Sequence, residues 1–453
     1  MVMKNRIQKK GHTELLRMTW PVVAELLLTG LINTGSQYFL NAFSTDAMAV
    51  VGSLSQIVSM VINLYTLVSI GGSILLAPMV GAGRQKDCGK LIDTMLTANL
   101  VFGVLVSAVT LCAVYPFLYM MNIEPALYAM GREYLIISLG LSTVQSLLIT
   151  YTAIFRSFGH MKDVLACNFA VYLTCFFANM MIYYLMPQGK QRLLFYTFSG
   201  IIGQATGVIY LHLRLRSFFW KQNKREKPDS GERMRLLKRI LHFGIPGGME
   251  GILYLIAQIV IVAMIGSLGT RALLIKAYLG NFAAYMSIGT SAINTAVFVL
   301  IGQYLGEKNP EALRSIFREG LAAGILITLT VSAGLIAVSR PVLHLFTYDE
   351  SIIEQVQALL YLQLIVEEAR VLAALAVSGL KAVGETRLPF IMIIIGSLLD
   401  FAIAYGLGIV LNWGLYGIWL GYLGDLVLRG IVEALRWYKI TRGNAICGRR
   451  LDE

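Results

Sequence analysis

The chain has 453 residues, of which 57% are hydrophobic and 14% charged, with a mean hydropathy of +0.67. A soluble protein carries about 45–50% apolar and about 25% charged residues, so the composition excludes a soluble domain and requires an integral membrane protein. The net charge of +12 invites a nucleic-acid reading, which the placement of the charges excludes.

A helical span needs about 20 apolar residues. Twelve stretches qualify, at roughly 15–41, 47–80, 91–120, 134–156, 164–187, 193–219, 240–266, 272–305, 316–339, 352–380, 388–411 and 414–440. Their apolar runs are continuous and too long for barrel strands of about ten residues. The expected fold is therefore all-α, with twelve transmembrane helices as two six-helix bundles. The expected division is a cytoplasmic segment 1–14, a bundle 15–219, a basic cytoplasmic linker 220–237, a second bundle 238–441 and a tail 442–453.

The first span bends at Pro21, where a missing amide hydrogen frees a carbonyl. Glu25 follows one turn later. A charged carboxylate at that depth costs roughly 3 kcal/mol on insertion scales, so it must be protonated, paired or facing water. Asn33, Ser36 and Gln37 continue a polar stripe, with Tyr38 beside it. The second span carries Tyr65 and ends at the turn Gly81-Ala82-Gly83-Arg84; the fifth carries Cys175 and Asn179, and the sixth a close-packing Gly203-x-x-x-Gly207.

The seventh span opens Gly244-Ile245-Pro246-Gly247-Gly248-Met249-Glu250, which restates the first. Sliding the chain against itself by one constant offset, without a gap, puts Pro21 on Pro246, Glu25 on Glu250, Thr45 on Thr270, Ala47 on Ala272, Gly81 on Gly306 and Gly159 on Gly384. The chain is two copies of one unit. Tyr254 and Gln258 continue the seventh span, and Tyr278 and Tyr285 lie in the eighth; with Trp20, Tyr38 and Tyr65 these tyrosines are expected to wall a central cleft where a flat cation could stack. Lys276 is expected to snorkel to the outer interface. In the tenth span Glu367 and Arg370 share a face and could pair, leaving Glu368 to point elsewhere. Asp400 lies beside Ser397 in an otherwise apolar eleventh span, at the repeat position of Cys175. In the last span Asp425, Arg429 and Glu433 form an i, i+4, i+8 ladder, expected to close a structural charge triad, and Gly417-x-x-x-Gly421 marks close packing.

Numbering the loops alternately puts 30 of the 38 Lys and Arg on one side, including Arg156 in loop 4–5 and Lys381 in loop 10–11. That is the positive-inside pattern, with both termini cytoplasmic in a multi-pass protein of the cell membrane. An even number of spans per copy orients both copies alike, so a pseudo-two-fold axis along the membrane normal is expected. The five cysteines have no paired spacing and read as reduced, and the five histidines are not spaced as metal ligands. No ATP loop or nucleophile elbow is present, so a gradient-driven transporter is expected rather than an enzyme.

The proline-bearing first span, the Ser-Thr-x-Ala turn, a second span ending Gly81-Ala82-Gly83 with a basic cluster, and their restatement as Gly-Ile-Pro-Gly-Gly, Gly-Thr-Arg-Ala and Gly-Gln-Tyr-Leu-Gly resemble the MATE family, the multidrug and toxic compound extrusion transporters. The turns Gly159-His160-Met161-Lys162 and Gly384-Glu385-Thr386-Arg387 add to the resemblance, which covers Leu15 to about Lys439. It implies an antiporter that exports organic cations against H+ or Na+, with no cofactor. Three departures stand out. Ser36 replaces an aspartate usual in the first span, Cys175 and Asn179 replace a fifth-span Asn and Asp, and Tyr254 stands where some members have a seventh-span glutamate.

The expected coupling and substrate acids are therefore Glu250 and Glu25, then Asp400, Glu367 and Glu368, lining a cavity with Ser36, Gln37, Asn33, Gln258 and Asn179. Their mainly acidic charge suits a small, cationic, amphipathic cargo handled by a monomer in the bilayer. The alternative of the same superfamily, a flippase for lipid-linked substrates, would call for a cavity rich in Arg and Lys. A membrane enzyme on lipid-linked substrates would need acids or histidines clustered at one interface, and these are spread over both copies.

Overall fold

Inside a bilayer every backbone amide must bond within its own segment, and the chain answers with helices. The computed structural model describes residues 2–43, 45–121, 123–185, 191–221 and 227–442, with side chains at all of these except 2–12, 33, 34, 36–39, 41–43, 45 and 191. Asn33, Ser36, Gln37 and Tyr38 thus lie outside the described side chains.

The helices are α1 (Val2–Phe43), α2 (Thr45–Gly81), α3 (Gln85–Cys112), a bent α4 (Tyr128–Gly140 and Ser142–Ser157), α5 (Met161–Leu185), α6 (Gln191–Leu215), α7 (Ser230–Ser267), α8 (Thr270–Gly306), α9 (Pro310–Ala337), α10 (Glu350–Ala382), α11 (Arg387–Ile403) and α12 (Leu415–Arg442). Among the described residues ten are long and apolar enough to cross a membrane alone, and α4 is an eleventh span bent by 41°. The twelfth, α10, carries Glu354, Glu367, Glu368 and Arg370 over its 33 residues, which is why its apolar character is diluted.

The duplication is visible in the turns. Gly159 and Gly384 both take the left-handed conformation, at φ 78° and 79°. In each, the glycine N–H donates to the carbonyl three residues back, Arg156 or Lys381, and the next N–H donates to Phe155 or Leu380. This closes the last turn of α4 and of α10 in the manner of a glycine C-cap. The turns after α2 and α8 repeat in the same way, with Gly83 at φ 69° and Lys308 at φ 55°. Short helices Val114–Met120 and Ser339–Leu343 also begin at equivalent positions of the two copies.

The compact units do not divide at the basic linker. One comprises Ala24–Gly248; the other comprises Met1–Val23 with Met249–Glu453. The chain changes unit inside α1 and inside α7, just beyond Pro21 and just beyond Pro246. The reason lies in packing. Leu15 is 1% exposed in a core with Ile293, Leu300 and Phe317, and Tyr304 donates to Glu14 at 2.7 Å. In the unit Ala24–Gly248, Ile240 is sealed among Val68, Leu75 and Met95, and Gly71 faces the carbonyl of Ile240 so closely that no side chain fits.

Candidate functional site

Glu25 and Glu250 each sit one helical turn beyond a proline, on helices that the missing proline N–H leaves short of one backbone bond. Each carboxylate meets a cation from the last turn of a helix closed by a left-handed glycine. Arg156 Nη2 donates to Glu25 Oε1 at 2.7 Å, and Asn168 Nδ2 donates to the same oxygen at 2.7 Å. In the other unit Lys381 Nζ stands 2.5 Å from Glu250 Oε2. The Glu25 side chain is 8% exposed and that of Glu250 16%, so both pairs are largely out of water. The pairs are repeats of one another, because the offset that carries Glu25 onto Glu250 also carries Arg156 onto Lys381. Counting both cations as loop charges concealed this.

The other acids form a second assembly, inside the unit Met249–Glu453. Trp419 Nε1 donates to Gln363 Oε1 at 2.7 Å, Gln363 Nε2 to Glu367 Oε1 at 2.6 Å, and Arg370 Nε to Glu367 Oε2 at 3.1 Å. Glu367 is 1% exposed. It is the fixed counter-ion of Arg370 rather than an acid facing water. Both Glu368 carboxylate oxygens are buried without a hydrogen bond. Asp400 is buried where α11 meets α12: a Cβ on Gly421 would run into Asp400 Oδ1, and one on Gly396 into Asp425 Oδ1. Arg429 binds Asp425 through two bonds of 2.7 Å, while Glu433, fully buried, accepts none. The expected triad is a pair with an acid beside it.

A cavity of about 210 Å³ lies in the unit Ala24–Gly248, lined by Ser138, Ser142, Gln145, Asn179 and Gln204 among others. Asn179 is 3% exposed and accepts from Ser199 Oγ at 2.6 Å. Among the described residues no group of three or more His, Cys, Asp or Glu is arranged to hold a metal ion.

Comparison with known proteins decides the family. The MatE family model matches the chain twice, over residues 21–181 and 246–406, so the second match begins and ends at the repeat positions of the first. The chain belongs to the MatE family. MatE proteins are transporters rather than enzymes, and this one is a multi-pass membrane protein. It is 25% identical to the uncharacterized transporter YisQ of Bacillus subtilis, over 93% of each chain. It is 23% identical to the probable multidrug resistance protein NorM of Thermotoga maritima, over 93% of this chain and 91% of that one. A mutant of the Vibrio cholerae MATE transporter VcmN has the same fold, with a TM-score of 0.89 and 16% identity over 98% of this chain and 99% of that one.

The MatE fold corrects the expectation for one aromatic. Tyr65 does not wall a cleft: it is fully buried, its ring 6.2 Å from Phe102 and its hydroxyl 2.6 Å from Ser142 Oγ. Tyr254 and Tyr285 are 39% and 38% exposed, and Tyr278 packs on the core of its own unit with its ring 6.2 Å from Phe346. Gln258 accepts from Tyr422 at 3.2 Å. The residues that sequence reasoning passed over are Arg156, Lys381, Gln145 and Gln204. The repeat offset links the first two, and no motif marks the others.

Proposed function

We propose that this MatE protein is a secondary active exporter of small, positively charged, amphipathic molecules, driven by inward movement of H+ or Na+ and working by alternating access, with both termini cytoplasmic. The observation that carries the reading is the repeated acid–cation pair, Glu25 with Arg156 and Glu250 with Lys381. A carboxylate neutralised by a built-in cation is a competition site. A proton, a Na+ ion or a cationic substrate that takes the carboxylate releases the Lys or Arg, and the returning side chain expels the occupant. Because Glu250 lies just past Pro246 and Lys381 ends α10, breaking that pair unties two helix segments at a place where the proline already leaves a carbonyl without its helical donor.

Energetics favour such exchange over a passive brace. An ion pair held largely out of water gains little net stability, since desolvation offsets most of the Coulomb attraction. Its recurrence in both copies therefore asks for a use. The name of the Thermotoga relative, a probable multidrug resistance protein, supports the choice of cargo. Reconstitution in vesicles under separate pH and Na+ gradients, following a fluorescent organic cation, tests the reading. Gradient-driven flux is expected to fall at least tenfold in Glu250→Gln and substantially in Glu25→Gln. Flux unchanged in both variants rules the mechanism out.

A further inference from the structure

Helix α7 is longer than a membrane crossing requires. About 20 residues span the hydrocarbon, and α7 runs for 38, with Glu232, Arg233, Arg235, Lys238 and Arg239 all in its opening stretch. Two of these charges tie that stretch to α3 within the unit Ala24–Gly248: Lys90 Nζ donates to Glu232 Oε1 at 2.9 Å, and Arg233 Nη2 donates to Asp93 Oδ2 at 3.0 Å. Further along, Ile240 is sealed in the core, and Gly244 lies so close to the carbonyl of Leu67 that no side chain fits. One face of the helix is thus fixed against α2 and α3. The opposite face is free. At about 100° per residue, Arg235, Lys238, His242 and Ile245 fall within an arc of about 80°, and all four are exposed. Among the described residues Arg235, Lys238 and Arg239 enter no ion pair.

We propose that this face of α7 binds an anionic phospholipid, whose headgroup sits against Arg235, Lys238 and Arg239 and whose acyl chain lies along Ile245. The order of the residues carries the proposal. Lys238 stands about 10 Å along the helix axis from Ile245, and the headgroup layer beyond the hydrocarbon is roughly 5–8 Å deep. With Ile245 at the edge of the hydrocarbon, the ends of the long Arg and Lys side chains therefore reach the level of the lipid phosphates. A phosphate there supplies the negative charge that the fold does not, and an arginine grips it through two parallel donors. Each basic residue so placed strengthens attraction to an anionic bilayer several-fold. A free phosphate or an acidic peptide would use the cations and leave Ile245, which is 49% exposed, uncovered. A lipid covers both. Lipid binding needs neither cargo nor ion gradient, so the proposal stands or falls apart from the coupling mechanism.

Native mass spectrometry of the full chain in detergent, titrated with phosphatidylglycerol or with phosphatidylcholine of the same chains, tests the proposal. The wild type is expected to hold phosphatidylglycerol at least tenfold more tightly than phosphatidylcholine. Replacing Arg235→Gln, Lys238→Gln and Arg239→Gln together is expected to remove that preference, with a thermal melt establishing that the variant is folded. A matched variant, Arg318→Gln with Lys439→Gln and Arg442→Gln, takes the same charge from exposed positions of the other unit and is expected to bind as the wild type does. Ile245→Ser, which leaves every charge in place, is expected to weaken phosphatidylglycerol binding several-fold. Glycerophosphoglycerol, the same headgroup without chains, is expected not to displace the bound lipid at equal concentration. No preference for phosphatidylglycerol in the wild type, an equal loss in the matched variant, or displacement by glycerophosphoglycerol overturns the proposal.

Discussion

Glu250 and Lys381 form a pair whose parts are worth less separately than together. Their side chains are only 16% and 15% exposed, and removing one partner strands the other in a poorly solvated site, at a cost on the order of 3 kcal/mol. Lys381→Met is thus expected to lower the unfolding free energy by about that much, and adding Glu250→Gln to recover most of it; denaturant melts of the single and double variants measure the coupling. The acids of this pair and of Glu25 were legible in the sequence because charge inside a span is costly wherever it occurs. Their partners were not, because a Lys or Arg at the cytoplasmic end of a span is what topology alone supplies. Tyr65 was misjudged for a related reason: sequence gives a ring its helix but not the face it presents, and a hydroxyl bonded to Ser142 satisfies it in the core.

At the scale of elements, the turns were the most legible part of the chain, since a glycine that ends an apolar run has few other roles. The turn after α8 breaks the pattern, because Lys308 takes a left-handed conformation that its counterpart Gly83 adopts without strain. Lys308→Gly is expected to stabilise the protein by about 0.5–1 kcal/mol, read as a raised denaturation midpoint, and Gly384→Ala, at φ 79°, to destabilise it by more than about 1 kcal/mol. Outside the membrane, Asp349 caps α10. The hydrogen bond from the Ser351 side chain, with the Ser351 and Ile352 backbone N–H groups, holds its carboxyl below the usual aspartate range. A depressed carboxylate stabilises the fold above its ordinary value and loses that contribution as pH falls through the lowered one. The melting temperatures of wild type and Asp349→Ala should differ at neutral pH and draw together as pH falls through the lowered carboxyl range. The crossing of the chain between units inside α1 and α7 was not legible, because the prolines marked bends without telling where each half would pack.

For the whole molecule, two copies of one fold carry one feature in common and one in contrast. The constant offset between the copies made the duplication plain in the sequence, and it also links the acid–cation pairs, each built from a post-proline glutamate and a cation one turn before a left-handed glycine. The contrast between a neutral hollow and an ionic assembly at equivalent positions needed the structure, since only packing reveals that Gln145 and Gln204 line a space while Arg370 and Arg429 meet acids. The account rests on Glu250 acting as an exchangeable carboxylate and not as half of a brace. Reversing the pair, with Glu250→Lys and Lys381→Glu in one chain, keeps the attraction while moving the carboxylate to the other helix. Gradient-driven cation flux in vesicles, measured on this variant after its melt shows it folded, is predicted to fall to the level of empty vesicles. Flux near the wild-type rate would contradict the account.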